Sequence, residues 1–224
     1  MTNFVIVTEG RCGSTLLVHV LNSFKQVLCS GEIIGYYALD RFLKNKHNAV
    51  VPYKKLRMGF LGRQVDKKST HPFFKPEEIE IKDEYKFTDL FPPKYRASGT
   101  KSIIQSPDLE FFLMNNHFYK IILLTRKNKG LWIASMKRAG FKNGNIKHLT
   151  EIHNKYVAYS KKYDNTFLLY YEDIKNCQFK ELFDFLKIGD LYDEKLIKEK
   201  LHDICSYQCR QNISQIVKAN KSIK

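Results

Sequence analysis

The chain has 224 residues, of which 43% are apolar and 27% charged. That is room and apolar content for one ordinary domain, and it excludes a disordered, collagen-like or low-complexity chain. Lys and Arg total 38 against 23 Asp and Glu, a formal charge of +15 that points to an anionic partner: nucleic acid, a membrane surface, or a phosphate- or sulfate-bearing ligand. The excess is carried by 30 Lys and only 8 Arg, beside 14 Asn. Proteins that read bases lean on the planar fork of Arg, so this balance fits an AT-rich coding bias as well as it fits nucleic-acid binding.

The first predicted element is the two-sided apolar run Phe4-Val5-Ile6-Val7, a buried parallel strand. It ends in Thr8-Glu9-Gly10-Arg11-Cys12-Gly13-Ser14-Thr15, and Leu17, Val20, Leu21 and Phe24 then follow at helical spacing. Val27-Leu28-Cys29 reads as a second strand ending at Ser30-Gly31-Glu32. Residues 36–96 hold a possible helix from Tyr36 to Asn45, then Gly and Pro punctuation that indicates loops, a substrate-facing insertion with a possible lid. Ser98 to Ile104 is a strand end, Asp108 can cap a helix to about His117, and Tyr119 to Thr125 is the clearest buried strand. Helices are expected from Lys129 to Ala139, stopped by Gly140, and over 147–163. Thr166 to Tyr171 is a further strand, followed by Glu172-Asp173 and a helix carrying Phe179, Leu182, Phe183 and Leu186. Charged amphipathic helices follow from about 192.

Strands alternating with helices predict a single α/β domain over 1–224 with a central, mainly parallel sheet flanked by helices. Ligands of such sheets bind at the carboxyl ends of the strands, where Arg11 to Thr15, Glu32, Lys101 and Arg126 should converge.

Cys12, Cys29, Cys177, Cys205 and Cys209 form no disulfide framework and read as free thiols of a reducing compartment. No secretory h-region opens the chain, and no apolar run approaches the roughly 18 residues of a membrane span. The expectation is a cytoplasmic protein with no membrane partner.

The first loop combines glycine-turn amides, a helix N-terminus, two hydroxyls and the positive charge of Arg11, which together suit a bound phosphate. It lacks the Lys after Gly13 that a nucleoside-triphosphate loop requires. Gly10-Arg11-Cys12-Gly13-Ser14-Thr15-Leu16-Leu17 resembles the R-S-G-S-T-L-L loop of sulfotransferases that use 3′-phosphoadenosine 5′-phosphosulfate (PAPS), closest to the bacterial trehalose-sulfotransferase-like and carbohydrate-sulfotransferase branches. Cys12 stands where the family has Ser. The resemblance implies a P-loop nucleoside-triphosphate-hydrolase-like fold and assigns the 5′-phosphosulfate to Arg11, Cys12, Gly13, Ser14 and Thr15.

The family's 3′-phosphate site, a strand-end Arg with a Ser eight or nine residues on, is matched by Arg126 and Ser135. Lys127 is the alternative if the spacing is eight. Tyr171-Glu172-Asp173-Ile174 resembles the family's Y-E-D-L, with Asp173 a helix cap. The resemblance implies Glu32 as the base that takes the acceptor's proton and Lys101 as a cation near the transferred group. His47 and His71 are alternative bases, and Arg210-Gln211-Asn212-Ile213 is a possible cofactor-contacting segment. Tyr36, Tyr37, Phe60, Phe73 and Phe74 could line an acceptor pocket or pack the insertion, and Trp132 is expected in the core.

The implied reaction moves a sulfuryl group from PAPS to a hydroxyl or amine of a small-molecule or carbohydrate acceptor, leaving the nucleotide PAP. No metal is required and no nucleic acid is expected. The alternatives are an ATP-dependent small-molecule or nucleotide kinase with a degenerate loop, or a basic nucleic-acid-binding module.

Overall fold

The structure is a computed structural model that describes residues 1–34, 50–52, 84–86, 93–102, 109–110, 113–114, 117–138, 140 and 145–204. For 30–34, 50–52, 84–86 and 102 it describes the backbone alone. β1 (Thr2–Thr8), α1 (Ser14–Leu21) and β2 (Val27–Ile34) open the chain. β3 (Val50–Pro52) and β4 (Glu84–Lys86) pair antiparallel as a separate small ribbon. β5 (Ala97–Ser102), β6 (Lys120–Thr125), α2 (Lys129–Arg138), α3 (Ile146–Lys162) and β7 (Thr166–Tyr170) follow. Two short helices, α4 (Tyr171–Lys175) and α5 (Lys180–Phe185), precede a single 3-10 turn (Gly189–Leu191) and helical residues 194–204.

Five strands form one sheet in the order β2-β5-β1-β6-β7, and every neighbouring pair is parallel. The chain leaves β1 toward the β2 edge, returns through β5, then crosses to β6 on the other side. The carboxyl end of β1 therefore sits where the winding reverses, the place where ligands enter such sheets. The domain is α/β with helices flanking an all-parallel sheet.

Sequence accounts for the order of burial. Phe4 to Val7 and Ile121 to Leu124 are fully buried, as expected for central strands covered on both faces. Phe4, Ile6, Ile122 and Leu124 join Leu17, Val20 and Leu21 of α1 and Phe179, Leu182, Phe183 and Leu186 around α5 in one core. Gly99 of β5 is the register partner of Phe4, and a Cβ there would run into the Phe4 ring. Only glycine lets that ring lie across the neighbouring strand. Asn22, at the end of α1, ties the helix to β2 with both ends of its amide. Its Nδ2 donates to Cys29 O at 2.9 Å and its Oδ1 accepts from Cys29 N at 2.7 Å.

β2 departs from the sequence expectation. The strand is expected to end at Ser30-Gly31-Glu32, yet it runs on to Ile34. β5 supplies ladder partners throughout, and the polar stretch is absorbed by register shifts between Ser30 and Glu32 and between Glu32 and Ile34. The expected helix over 36–45, most of the 36–96 insertion, Asp108 and the tail beyond 204 lie outside the described residues, although 109–110 and 113–114 are helical. Among the described residues no helix is long and apolar enough to cross a membrane.

Candidate anion-binding site at the sheet's carboxyl edge

The loop after β1 is held in an unusual backbone shape. Arg11 and Gly13 both have positive φ, 70° and 83°, with Cys12 between them. Left-handed residues on either side of Cys12, whose φ is negative, give the alternation of hand from which anion nests are built, and the first turn of α1 follows directly. Trp132 of α2 is fully buried and its indole N–H donates to Gly10 O at 2.8 Å. The expected core residue thus also pins the start of the loop. Cys12 is buried, and burial pushes its thiol up to about 12 against the lowering influence of Arg126 and Lys129. It is a neutral packing residue whose backbone, not its sulfur, is what it can offer an anion.

Four of the candidate side chains meet in pairs. The Arg11 Nε donates to Ser135 Oγ at 3.4 Å, and Lys101 Nζ donates to Thr15 Oγ1 at 3.4 Å. Lys101 and Ser135 are buried while Arg11 is exposed. The family resemblance places Arg11 and Ser135 on different phosphates of the donor; here they are in contact. Glu32 is the register partner of Lys101 across β2 and β5. Its side chain lies outside the described residues, as do His47, His71, Tyr36, Tyr37, Phe60, Phe73, Phe74 and Arg210 to Ile213.

The loop after β6 separates Arg126 from Lys127. Arg126 is 8% exposed, its guanidinium carbon lies 3.8 Å from the centroid of the Tyr171 ring, and its Nε has no hydrogen-bond partner. Lys127 points to solvent and its ammonium is paired with Asp173 at 2.9 Å. A buried guanidinium with an unmet donor is suited to a ligand oxygen; a solvated lysine already paired with a carboxylate is less so.

The Tyr171-Glu172-Asp173 motif does more than end a strand. Asp173 Oδ2 accepts from Tyr170 N at 3.1 Å, the expected cap. Glu172 accepts from the amides of Lys127 and Asn128 at 3.0 and 3.1 Å. Burial tends to raise the Glu172 carboxyl, but these two amides, with Arg126 nearby, hold it below the usual carboxylate value. Tyr171 also fills the space beside Gly13, where an added Cβ would strike its ring. Lys129 donates to Arg126 O at 2.5 Å, and burial lowers its ammonium pKa. Sequence reading passed over Tyr171, Glu172 and Lys129 as site residues. The available signal was an aromatic-acid-acid run directly after a parallel strand.

No family model matches this chain, and no curated protein matches it.

Proposed function

We propose that the chain is a PAPS-dependent sulfotransferase of P-loop-like fold, working in the cytoplasm on a hydroxyl or amine of a small-molecule or carbohydrate acceptor. The observation that carries this reading is the pairing of cation and hydroxyl on both sides of the Gly13 turn, Arg11 with Ser135 and Lys101 with Thr15, beside the buried Arg126. The residues fit such a donor: the unpartnered Arg126 Nε offers a charge-assisted bond, and the left-handed turn at Gly13 offers amides. The free thiols of Cys12 and Cys177 suit a reducing compartment.

When bound, PAPS supplies the sulfuryl group. The amides of Cys12, Gly13, Ser14 and Thr15 and the Arg11 guanidinium hold the 5′-phosphosulfate. Arg126 and Ser135 would hold the 3′-phosphate. Glu32 takes the proton of the attacking acceptor group. Lys101 and Arg11 stabilise charge on the leaving oxygen. Rate comes from positioning and electrostatics.

A thermal-shift panel tests the reading. Stabilisation by PAP, with none by ATP–Mg²⁺ or duplex DNA, is the expected result. A response to ATP–Mg²⁺ alone points instead to a kinase, and one to DNA alone, weakening steeply with salt, to a nucleic-acid module. Glu32→Ala should abolish turnover while leaving PAP binding nearly intact; full activity in that variant removes Glu32 as the base.

A further inference from the structure

Tyr171 touches both anion-facing loops, although it follows β7 and belongs to neither. Its ring lies under the Arg126 guanidinium, at 3.8 Å from ring centroid to guanidinium carbon, and its Cδ2–Cε2 side occupies the space where a side chain at Gly13 would stand. Both contacts are selective. Stacking on an aromatic face fixes the plane of a guanidinium while leaving its in-plane N–H groups available at the edge. Arg126 is buried and its Nε meets no acceptor, so the stack, rather than a hydrogen bond at that atom, sets how the group is presented. At Gly13 the backbone is left-handed, a shape that only glycine adopts without strain, and the ring closes the side on which the loop could relax. The neighbouring carboxylates spend their hydrogen bonds elsewhere, although the Arg126 charge is felt at Glu172: Glu172 accepts from the Lys127 and Asn128 amides, and Asp173 from Lys127 and the Tyr170 amide.

We propose that Tyr171 is the positioning residue of the anion site, coupling the two loops by stacking the Arg126 guanidinium and backing the Gly13 turn. It touches no reacting atom and works through Arg126. The proposal rests on the reading of the two loops as the donor's phosphate sites, and it makes the ring, not the hydroxyl, the working part of the side chain.

The test is a binding cycle over wild type, Tyr171→Leu, Arg126→Gln and the double variant, titrated with PAP and separately with inorganic pyrophosphate. Tyr171→Leu should weaken PAP by about tenfold, the scale of a partly desolvated cation–π contact. Tyr171→Phe, which keeps the ring, should stay within about twofold of wild type. In the Arg126→Gln background, Tyr171→Leu should cost no more than about twofold further, because its partner is gone. A merely structural tyrosine would lose the same factor in both backgrounds, and that additivity overturns the proposal, as does an unchanged affinity in Tyr171→Leu. If Tyr171→Leu does not fold, Tyr171→Met replaces it, keeping bulk without a ring. Should wild type fail to bind PAP, the donor reading falls, and the pyrophosphate arm decides Tyr171 by the same cycle. If wild type binds neither probe, both ideas are overturned.

Discussion

The loops after β1 and β6 both present positive charge at the carboxyl edge of one sheet, but they are held by different means. The first is set by backbone shape, with left-handed Arg11 and Gly13, and by a core residue, since the buried Trp132 holds Gly10 O. The second is set by carboxylates: Glu172 takes the Lys127 and Asn128 amides, and Asp173 takes the Lys127 ammonium. The first loop should therefore fail when packing or backbone conformation is altered. The second should fail when carboxylates are neutralised. Tyr171 is where the two regimes meet.

The largest expected break in this comparison is Trp132→Ala. Loss of a fully buried indole should cost about 3–5 kcal/mol of stability, read as a shift in the denaturant midpoint. Trp132→Phe keeps most of the packing but leaves Gly10 O with only the long Cys12 Sγ contact at 3.9 Å, for about 1 kcal/mol. Gly13→Ala comes next. It forces a Cβ into a left-handed position against Tyr171, and strain of roughly 1–3 kcal/mol should appear together with loss of PAP binding.

Glu172→Gln sharpens the other side of the comparison. The folded Glu172 pKa is held below its usual 4.5, so its contribution to stability is present above that value and lost as pH falls through the depressed folded pKa. The variant should be less stable than wild type at neutral pH, and the difference should shrink as the pH is lowered below 4.5, followed by thermal unfolding across the range. A difference that stays constant with pH would show that the carboxylate charge does not hold the loop. The smallest effect belongs to Lys127→Ala. Its ion pair with Asp173 is exposed on the lysine side, and PAP affinity should change by less than about threefold.

Much of the fold was legible from short-range pattern. The runs Phe4-Val5-Ile6-Val7, Tyr119 to Thr125 and Thr166 to Tyr171 lie in three of the five sheet strands, with ends within two residues of those observed. The sequence cue misled at Ser30-Gly31-Glu32, because polar and glycine residues mark turns only when no neighbouring strand offers a ladder, and β5 offers one. In the site, residues at strand ends were legible because the topology of a parallel sheet brings them together. It brings Arg11 and Lys101 to one edge, but their partners Ser135 and Thr15 lie within α2 and α1, and those contacts were not foreseen. The contacts that shape the loops were not legible. The Trp132 N–H reaches a carbonyl 122 residues away, and Tyr171 meets Arg126 and Gly13 through packing that no local period encodes. The +15 charge is also clearer. Arg11, Lys101 and Arg126 sit at the site, whereas Lys127, Lys162 and Lys198 pair with Asp173, Glu110 and Glu194 at the surface.

The most direct measurement of the central claim is a calorimetric titration of wild type and Arg126→Ala with PAP and with 5′-AMP, which lacks the 3′-phosphate. If Arg126 at the end of β6 grips that phosphate, wild type binds PAP at least about tenfold more tightly than 5′-AMP, as a charge-assisted bond of roughly 1.5–3 kcal/mol requires, and Arg126→Ala closes the gap. Equal affinity for the two nucleotides in wild type, or a gap that survives in Arg126→Ala, would contradict it.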